Sequence, residues 1–518
     1  MSAPAVDRES VRGILLHLLA AVPDDAVPLA ETPVRGEPRL AIEGELVPAV
    51  SGATFPVVDP SSGEPIGEAA DASTDDLNRA IASAREAFDT STWPRDASLR
   101  ADCLRRLQSA LREERETLRR DLVAEIGCAV RMTYGDQLDR PIEKLSFYAD
   151  LAESYAYGTR LGGGDERAGN WFFREPLGVA AVITPWNIPV ELNLAKVGAA
   201  LAAGCTVVLK PSPLSPWSGA HLGRLAVERA DFPPGVLNVV TSSSNDVAAA
   251  LTTDPRVDIV AFTGSTATGK RVMAAAAGTV KRVLLELGGK AATVVLDDAD
   301  LDAVVPLAAA FVCFNAGQSC ILPSRLLVPR EHLERCLGLA AEGLASVPVG
   351  DPIDPDVFMG PLVSEEQRRR VEGYVERGKA DGARLVAGGG RREDLGSGYF
   401  FEPTLFADVD SRSALAQEEI FGPVLSVIAY DDEDDAVAIA NGTVYGLAGY
   451  VWGGDVERAV DVARRLDTGM VSVNGGSFIG AELPFGGRRQ SGMGREWGVA
   501  GFEEFLDVKS VGVGAPPS

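Results

Sequence analysis

The sequence predicts an α/β protein built on a parallel, doubly wound sheet, and three observations carry that prediction. Short apolar runs of strand length stand at residues 179–183, 206–209, 236–240 and 259–262. Helical patterns at residues 190–203, 217–230 and 245–251 lie between them. A second alternating set follows at 292–296, 301–314, 325–328 and 332–344. Strands that alternate with helices at this spacing make βαβ units, whose helices cover a parallel sheet. Such sheets bind ligands beyond the carboxyl ends of their strands. With 518 residues, the chain is too long for one hydrophobic core, so two or three domains are expected.

Residues 1–38 read as a variable extension rich in Pro and acid. The apolar stretch 14–22 is taken as a short helix rather than a signal peptide. It lacks a basic start, and Asp24-Asp25 follows it. Residues 41–60 suit short strands and turns. Thr74 is placed to cap a helix through Leu77, Ile81, Ala84 and Phe88. Residues 97–127 read as one long helix with Leu104, Leu107, Leu111 and Leu118 on one side. Its Arg and Glu residues form a solvated face with i,i+4 pairing. Residues 141–157 continue as helix until Gly162-Gly163-Gly164 breaks it. Residues 364–379 form a further helix, and a strand opens after Glu419. No repeat or low-complexity linker appears, so the domains interleave in sequence.

Composition narrows the function. The chain is 46% hydrophobic and 24% charged, with a net charge of -25. That charge opposes nucleic acid or an anionic membrane surface as the main partner. No stretch reaches the length of a membrane span. Cys103, Cys128, Cys205, Cys313, Cys320 and Cys336 are scattered, as in a reduced cytoplasmic protein. His17, His221 and His332 lie far apart, so no metal site is expected and a Ser-His-Asp mechanism is poorly supplied.

Three stretches can carry chemistry. Cys320 follows the apolar run 301–314 and the turn-forming Asn315-Ala316-Gly317. A thiol at such a break can be exposed and lowered in pKa by dipoles or cations, or it can be a small buried hydrophobe. Phe262-Thr263-Gly264-Ser265-Thr266 with Gly269 joins a strand to a helix. It can cradle a phosphate on free N–H groups, or be an ordinary turn. Glu286 sits within an apolar strand before Gly288-Gly289-Lys290. Burial should raise its pKa toward that of a general base, unless it caps the glycines.

Together with Pro185-Trp186-Asn187-Ile188-Pro189, Glu418-Glu419-Ile420-Phe421-Gly422-Pro423, and Pro484-Phe485-Gly486-Gly487 with Ser491-Gly492, these motifs resemble the aldehyde dehydrogenase superfamily. They come in the family's order across roughly residues 40–512. The resemblance implies a Rossmann-like cofactor domain (39–156 and 177–287) and a related α/β catalytic domain (288–490). It also implies a small β oligomerisation arm with a C-terminal tail (157–176 and 491–518), forming a homodimer or homotetramer. It implies Cys320 as nucleophile, Asn187 with the Cys320 N–H as oxyanion donors, and Glu286 as the base that activates water. Lys196 and Glu496 match positions that support the proton path. NAD is the implied cofactor, with NADP possible. Lys210, Ser212 and Pro213 would meet its adenosine end, Ile183, Thr184, Pro185 and Trp186 its crevice, and Gly264, Ser265 and Gly269 its pyrophosphate. Leu287, Gly288, Glu419 and Phe421 would meet its nicotinamide end.

The chain departs from the pattern at Pro213, where many NAD-preferring members carry a carboxylate that binds the ribose hydroxyls and repels a 2′-phosphate. Its loss opens the way to NADP. Ile321-Leu322-Pro323 replaces smaller residues after the nucleophile, and Arg489 stands where Lys is common. Ile188, Leu192, Ala195, Phe314, Ile321, Ile479 and Phe485 match tunnel-lining positions. They predict a roomy apolar pocket for an aliphatic, aromatic or terpenoid-like aldehyde. Glu191 is expected on the surface of its helix. Two other readings compete with this one. A CoA-acylating semialdehyde dehydrogenase typically lacks the base that Glu286 supplies. A catalytically silent relative would not need Cys320, Asn187 and Glu286 together.

Overall fold

The computed structural model describes residues 29–161 and 169–514, with Gly13, Val22 and Pro23. The expected helix at 14–22 (Val22 apart) and the glycine break at 162–164 lie outside the described residues.

Two large sheets dominate. In the first, strands lie in the order Gly492–Met493, Arg282–Glu286, Ile259–Thr263, Val179–Ile183, Thr206–Lys210, Leu237–Val239, Leu40–Ile42 and Glu45–Val47. The five central strands run parallel, and the outer ones are antiparallel additions. The second runs Arg384–Ala387, Thr404–Ala407, Val424–Tyr430, Arg325–Pro329, Ala292–Val295, Ala448–Trp452 and Met470–Val473. It too is parallel except at the Arg384–Ala387 edge. The central strands are buried along their length, as near-continuous apolar runs demand when helices cover both faces.

A third sheet pairs Leu506–Val513 with Gly169–Pro176 and Gly158–Leu161. Gly492–Met493, within the segment allotted to the arm, instead closes one edge of the first sheet against Leu285 and Glu286.

Several local expectations change. Ser73, not Thr74, caps the first helix, Thr74–Thr90, and Asp76 completes a capping box by taking the Ser73 N–H. The helix expected over 97–127 is two, Ala97–Glu113 and Arg115–Ile126, broken at Glu114. Asp96 caps the first, and Gly127 ends the second in the left-handed conformation. The run from Leu301 stays α-helical only to Ala310, then winds through a tighter turn to Gly317.

Register places the site. Glu286 pairs with Thr263, Phe262 with Ile183, and Ile183 with Lys210. Four parallel strands therefore end together, delivering Glu286, the Gly264-Ser265 turn and the Pro185-Trp186-Asn187 loop to one rim. Across from it, Thr293, Tyr450 and Ser472 stand in register on the second sheet.

Candidate active site

A cavity of about 850 Å³ lies between these strand ends, walled by both sheets. Cys320 opens onto it, half-buried. The loop that carries the thiol is strained. Asn315, Ala316 and Gly317 have φ of 50°, 55° and 78°, three successive left-handed residues of which only the last is glycine. Hydrogen bonds hold this shape. Gln318 Nε2 donates to Asn315 O at 3.0 Å, and Val363 N donates to Gln318 Oε1 at 2.9 Å. Asn315 Nδ2 donates to Asn187 O at 2.9 Å, as does Gln137 Nε2. On the far side, Tyr450 O–H donates to Ile321 O at 3.0 Å. Two glycines admit the loop. A Cβ at Gly289 would stand 2.1 Å from Cys320 O, and one at Gly317 would stand 2.0 Å from Gly422 C.

The Asn187 side chain faces the same loop. Its Nδ2 donates to Gln318 O at 3.1 Å. An amide nitrogen carries two protons, so a second donor remains available.

Glu286 is built the opposite way. It is buried, and neither carboxylate oxygen has a hydrogen-bond partner. It therefore does not cap the following glycines. Burial first, and the Glu496 charge second, push its pKa well above the carboxylate range. A Cβ at Gly486 would lie 2.7 Å from Glu286 Oε1, so the carboxylate fills the space that glycine leaves. Behind it, Lys196 Nζ pairs with Glu496 and donates to Thr263 Oγ1 at 2.5 Å. Glu496 lines the cavity, whereas Lys196 lies fully buried behind it.

The thiol departs from expectation. Burial, then the charges of Glu419, Glu286 and Glu496, hold Cys320 above the ordinary thiol value, and only its own backbone N–H works the other way. No cation stands among these influences.

Pro185, Trp186, Gly264, Ser265, Leu287 and Gly288 line the cofactor end of the expectation, and all reach the cavity wall. Glu419 and Phe421 join them. Glu419 Oε1 accepts from Gly289 N at 2.9 Å, and burial raises its pKa to about 7. Phe421, at φ 64°, meets Trp186 edge-on with centroids 5.4 Å apart. Ser265 caps the helix Thr266–Ala276, its hydroxyl taking Thr268 N at 3.2 Å. The other expected cofactor residues stand back from the wall. Ile183 is core, and Thr184 O–H donates to Asn193 Oδ1 at 2.6 Å. Gly269 lets its helix approach Leu287, since a Cβ there would lie 2.4 Å from Leu287 Cδ2. Lys210 Nζ donates to Ser242 O at 3.2 Å and Pro211 O at 3.3 Å, with its pKa lowered by burial to about 8. Ser212 and Pro213 follow it in a partly exposed turn.

Ile188, Leu192, Phe314, Ile321, Ile479 and Phe485 all reach the cavity. Ala195 does not; it is core, 1% exposed. Glu191 is the larger correction. It lines the cavity rather than the surface, with Lys144 Nζ 2.5 Å from its Oε1. The sequence reading also missed Gln137, Tyr450, Phe478 and Trp497. Trp497, at φ 59° beside Glu496, stacks on Tyr148 with centroids 5.3 Å apart. Among the described residues, no group of three His, Cys, Asp or Glu could hold a metal, and no helix is long and apolar enough to cross a membrane.

A family model described as the aldehyde dehydrogenase family matches residues 47–511. The chain belongs to that family. It is accordingly an NAD(P)-dependent oxidoreductase acting on aldehydes, with the family's pairing of a cofactor and a catalytic α/β domain. A relative named 3-succinoylsemialdehyde-pyridine dehydrogenase, from Pseudomonas sp., is 41% identical over 91% of this dehydrogenase and 97% of its own length. Geranial dehydrogenase from Castellaniella defragrans is 39% identical over 91% and 98%. Among solved structures, a mutant aldehyde dehydrogenase C from Pseudomonas syringae, complexed with NAD+ and octanal, is 40% identical. It superposes with a TM-score of 0.89 over 94% of this chain and 99% of its own.

Proposed function

We propose that this enzyme oxidises apolar aldehydes to carboxylic acids without coenzyme A. The observation that carries the reading is one cavity shared by a fixed Cys320, a donor from Asn187 and an unpartnered Glu286.

The walls suit a dinucleotide. The N-terminus of the helix Thr266–Ala276 opens on the cavity beside Gly264, where N–H groups and the helix dipole favour a phosphate. Glu419 offers a carboxylate to a ribose at the other end. Pro213 leaves no carboxylate to repel a 2′-phosphate, so NAD and NADP are both accepted. When bound, the nicotinamide supplies the hydride acceptor that turns the thiohemiacetal into a thioester.

The chain's own residues do the rest. The Cys320 thiolate adds to the aldehyde carbonyl. Asn187 Nδ2 and the Cys320 N–H receive the charge that develops on oxygen. Glu286, desolvated and raised in pKa, takes a proton from the water that attacks the thioester, and Glu496 with Lys196 carries that proton away.

The apolar lining favours aliphatic, aromatic or terpenoid-like aldehydes. Octanal bound to the Pseudomonas syringae relative and geranial in the Castellaniella name agree with this. The arm sheet exposes Leu161, Trp171, Val508 and Val513, which suits a homodimer or homotetramer. Six free cysteines suit the cytoplasm.

The test is NAD(P)H absorbance over an aldehyde panel, with NAD or NADP, with and without coenzyme A, in wild type and Cys320→Ala. Reduction without coenzyme A, lost in the variant, is expected. A strict requirement for coenzyme A would sink the hydrolytic reading, and a preference for succinate semialdehyde over octanal would sink the apolar pocket.

A further inference from the structure

We infer that Glu191 gives the substrate end of the cavity a hydrogen-bond acceptor, which selects aldehydes carrying a hydroxyl or N–H donor at the end remote from the carbonyl. This rests on the dehydrogenase reading above and specifies its substrate.

Glu191 lies in the first turn of the helix Pro189–Ala203, one turn after Ile188 and next to Leu192. All three line the cavity. Its Oε1 is taken by Lys144, while its Oε2 is buried with no partner. Lys144 does not itself line the cavity. Its Nζ stands 2.5 Å from that carboxylate oxygen and 4.5 Å from the centre of the Trp497 ring. The pair therefore presents one open acceptor and no strong donor. Of the other carboxylates on the wall, Asp136 pairs with Arg140 at 3.0 Å, Glu496 with Lys196, and Glu419 accepts from Gly289 N at 2.9 Å, while the unpartnered Glu286 is the base of the proposed reaction. Around Glu191 the lining is Ile188 and Leu192, which are apolar, and Trp497, whose indole N–H donates but cannot accept.

A buried acceptor without a partner costs free energy, and a ligand that supplies the donor recovers it. A site of that kind rejects an isostere lacking the donor more strongly than an apolar wall rejects an added methylene.

The experiment compares kcat/KM for n-alkanals, ω-hydroxyalkanals and ω-aminoalkanals of matched length, from about four to ten carbons, in wild type and Glu191→Leu. At one or two lengths the donor-ended aldehyde should exceed its alkanal by roughly tenfold in wild type. In Glu191→Leu that ratio should fall to one or below, with octanal turnover rising. The double variant Lys144→Met/Glu191→Leu removes the stranded ammonium and should give the same ratio if the single variant folds poorly. The hydroxy and amino series separate a neutral from a cationic donor. No donor preference in wild type at any length, or a preference that survives both variants, overturns the inference. If no aldehyde of any series reduces NAD or NADP, the dehydrogenase reading has failed instead.

Discussion

The two walls of the cleft are built on opposite rules. On the nucleophile side, each polar group of the loop that the geometry needs is bonded. Gln318 uses both ends of its amide, Asn315 clamps Asn187 O, and Tyr450 holds Ile321 O. On the base side, Glu286 is as deeply buried but holds no hydrogen bond at either oxygen. Leaving a buried polar group unsatisfied costs roughly 1–3 kcal/mol, and more for a charged one. The contrast separates two needs. A nucleophile and its oxyanion donor work only at one geometry. A base that must wait for water is better left unbonded, with its pKa raised, until the water arrives.

The sharpest break of this contrast is removal of the thiol. Cys320→Ala should lower aldehyde turnover by at least about 10⁴-fold while cofactor binding, read by fluorescence quenching, persists. Next comes the free wall. Glu286→Gln should slow steady-state turnover by about 10²–10⁴-fold yet keep a pre-steady-state burst of reduced cofactor, because only thioester hydrolysis needs the base. Loss of the burst would move Glu286 into the first half-reaction. Asn187→Ala should cost about 10²–10³-fold in kcat, and here the burst itself should slow.

A smaller test sharpens the fixed wall. Gln318→Leu strands Val363 N and frees the left-handed turn, so it should lose about 1–3 kcal/mol in denaturant unfolding. The smallest effect concerns pH. Burial and three carboxylates hold the Cys320 thiol up, so its alkylation in the free enzyme should keep accelerating as pH rises past the ordinary thiol value. Glu286→Gln removes one opposing charge and should move that profile to lower pH. It should not bring the profile down to the ordinary value, because burial is the largest cause. An unchanged profile would place Glu286 too far from the sulfur to act on it.

How much of this was legible follows from how local each cause is. The parallel strands stand out as apolar runs, and their ends agree to within a residue or two because burial on both faces leaves few polar residues inside them, Asn238 and Thr293 being exceptions. The motifs single out Cys320, Asn187 and Glu286, and the structure brings all three to one cavity because strands end together there. The loop between Ala310 and Cys320 was not legible. Asn315 and Ala316 adopt left-handed backbone that their side chains do not favour, and what compensates them sits on Gln137 and Val363. Glu191 failed for the same reason. Its place in the first turn of a helix reads as solvent-facing, and its partner Lys144 is 47 residues away. Helix ends moved where a cap competed, as Ser73 did with Thr74.

The reach of those bonds bears on how the enzyme comes to life. Asn187 meets Gln318 across 131 positions, and Gln137 meets Asn315 across 178. Gly317 closes against Gly422 and Pro423, which come later still. Contacts of such separation form late, because the intervening chain must be ordered before they repay its loss of freedom. The reactive loop should thus be among the last parts to be assembled, and on refolding from denaturant the return of turnover should trail the return of the circular dichroism of helix and sheet. A half-made chain carries the cysteine but not the catalyst.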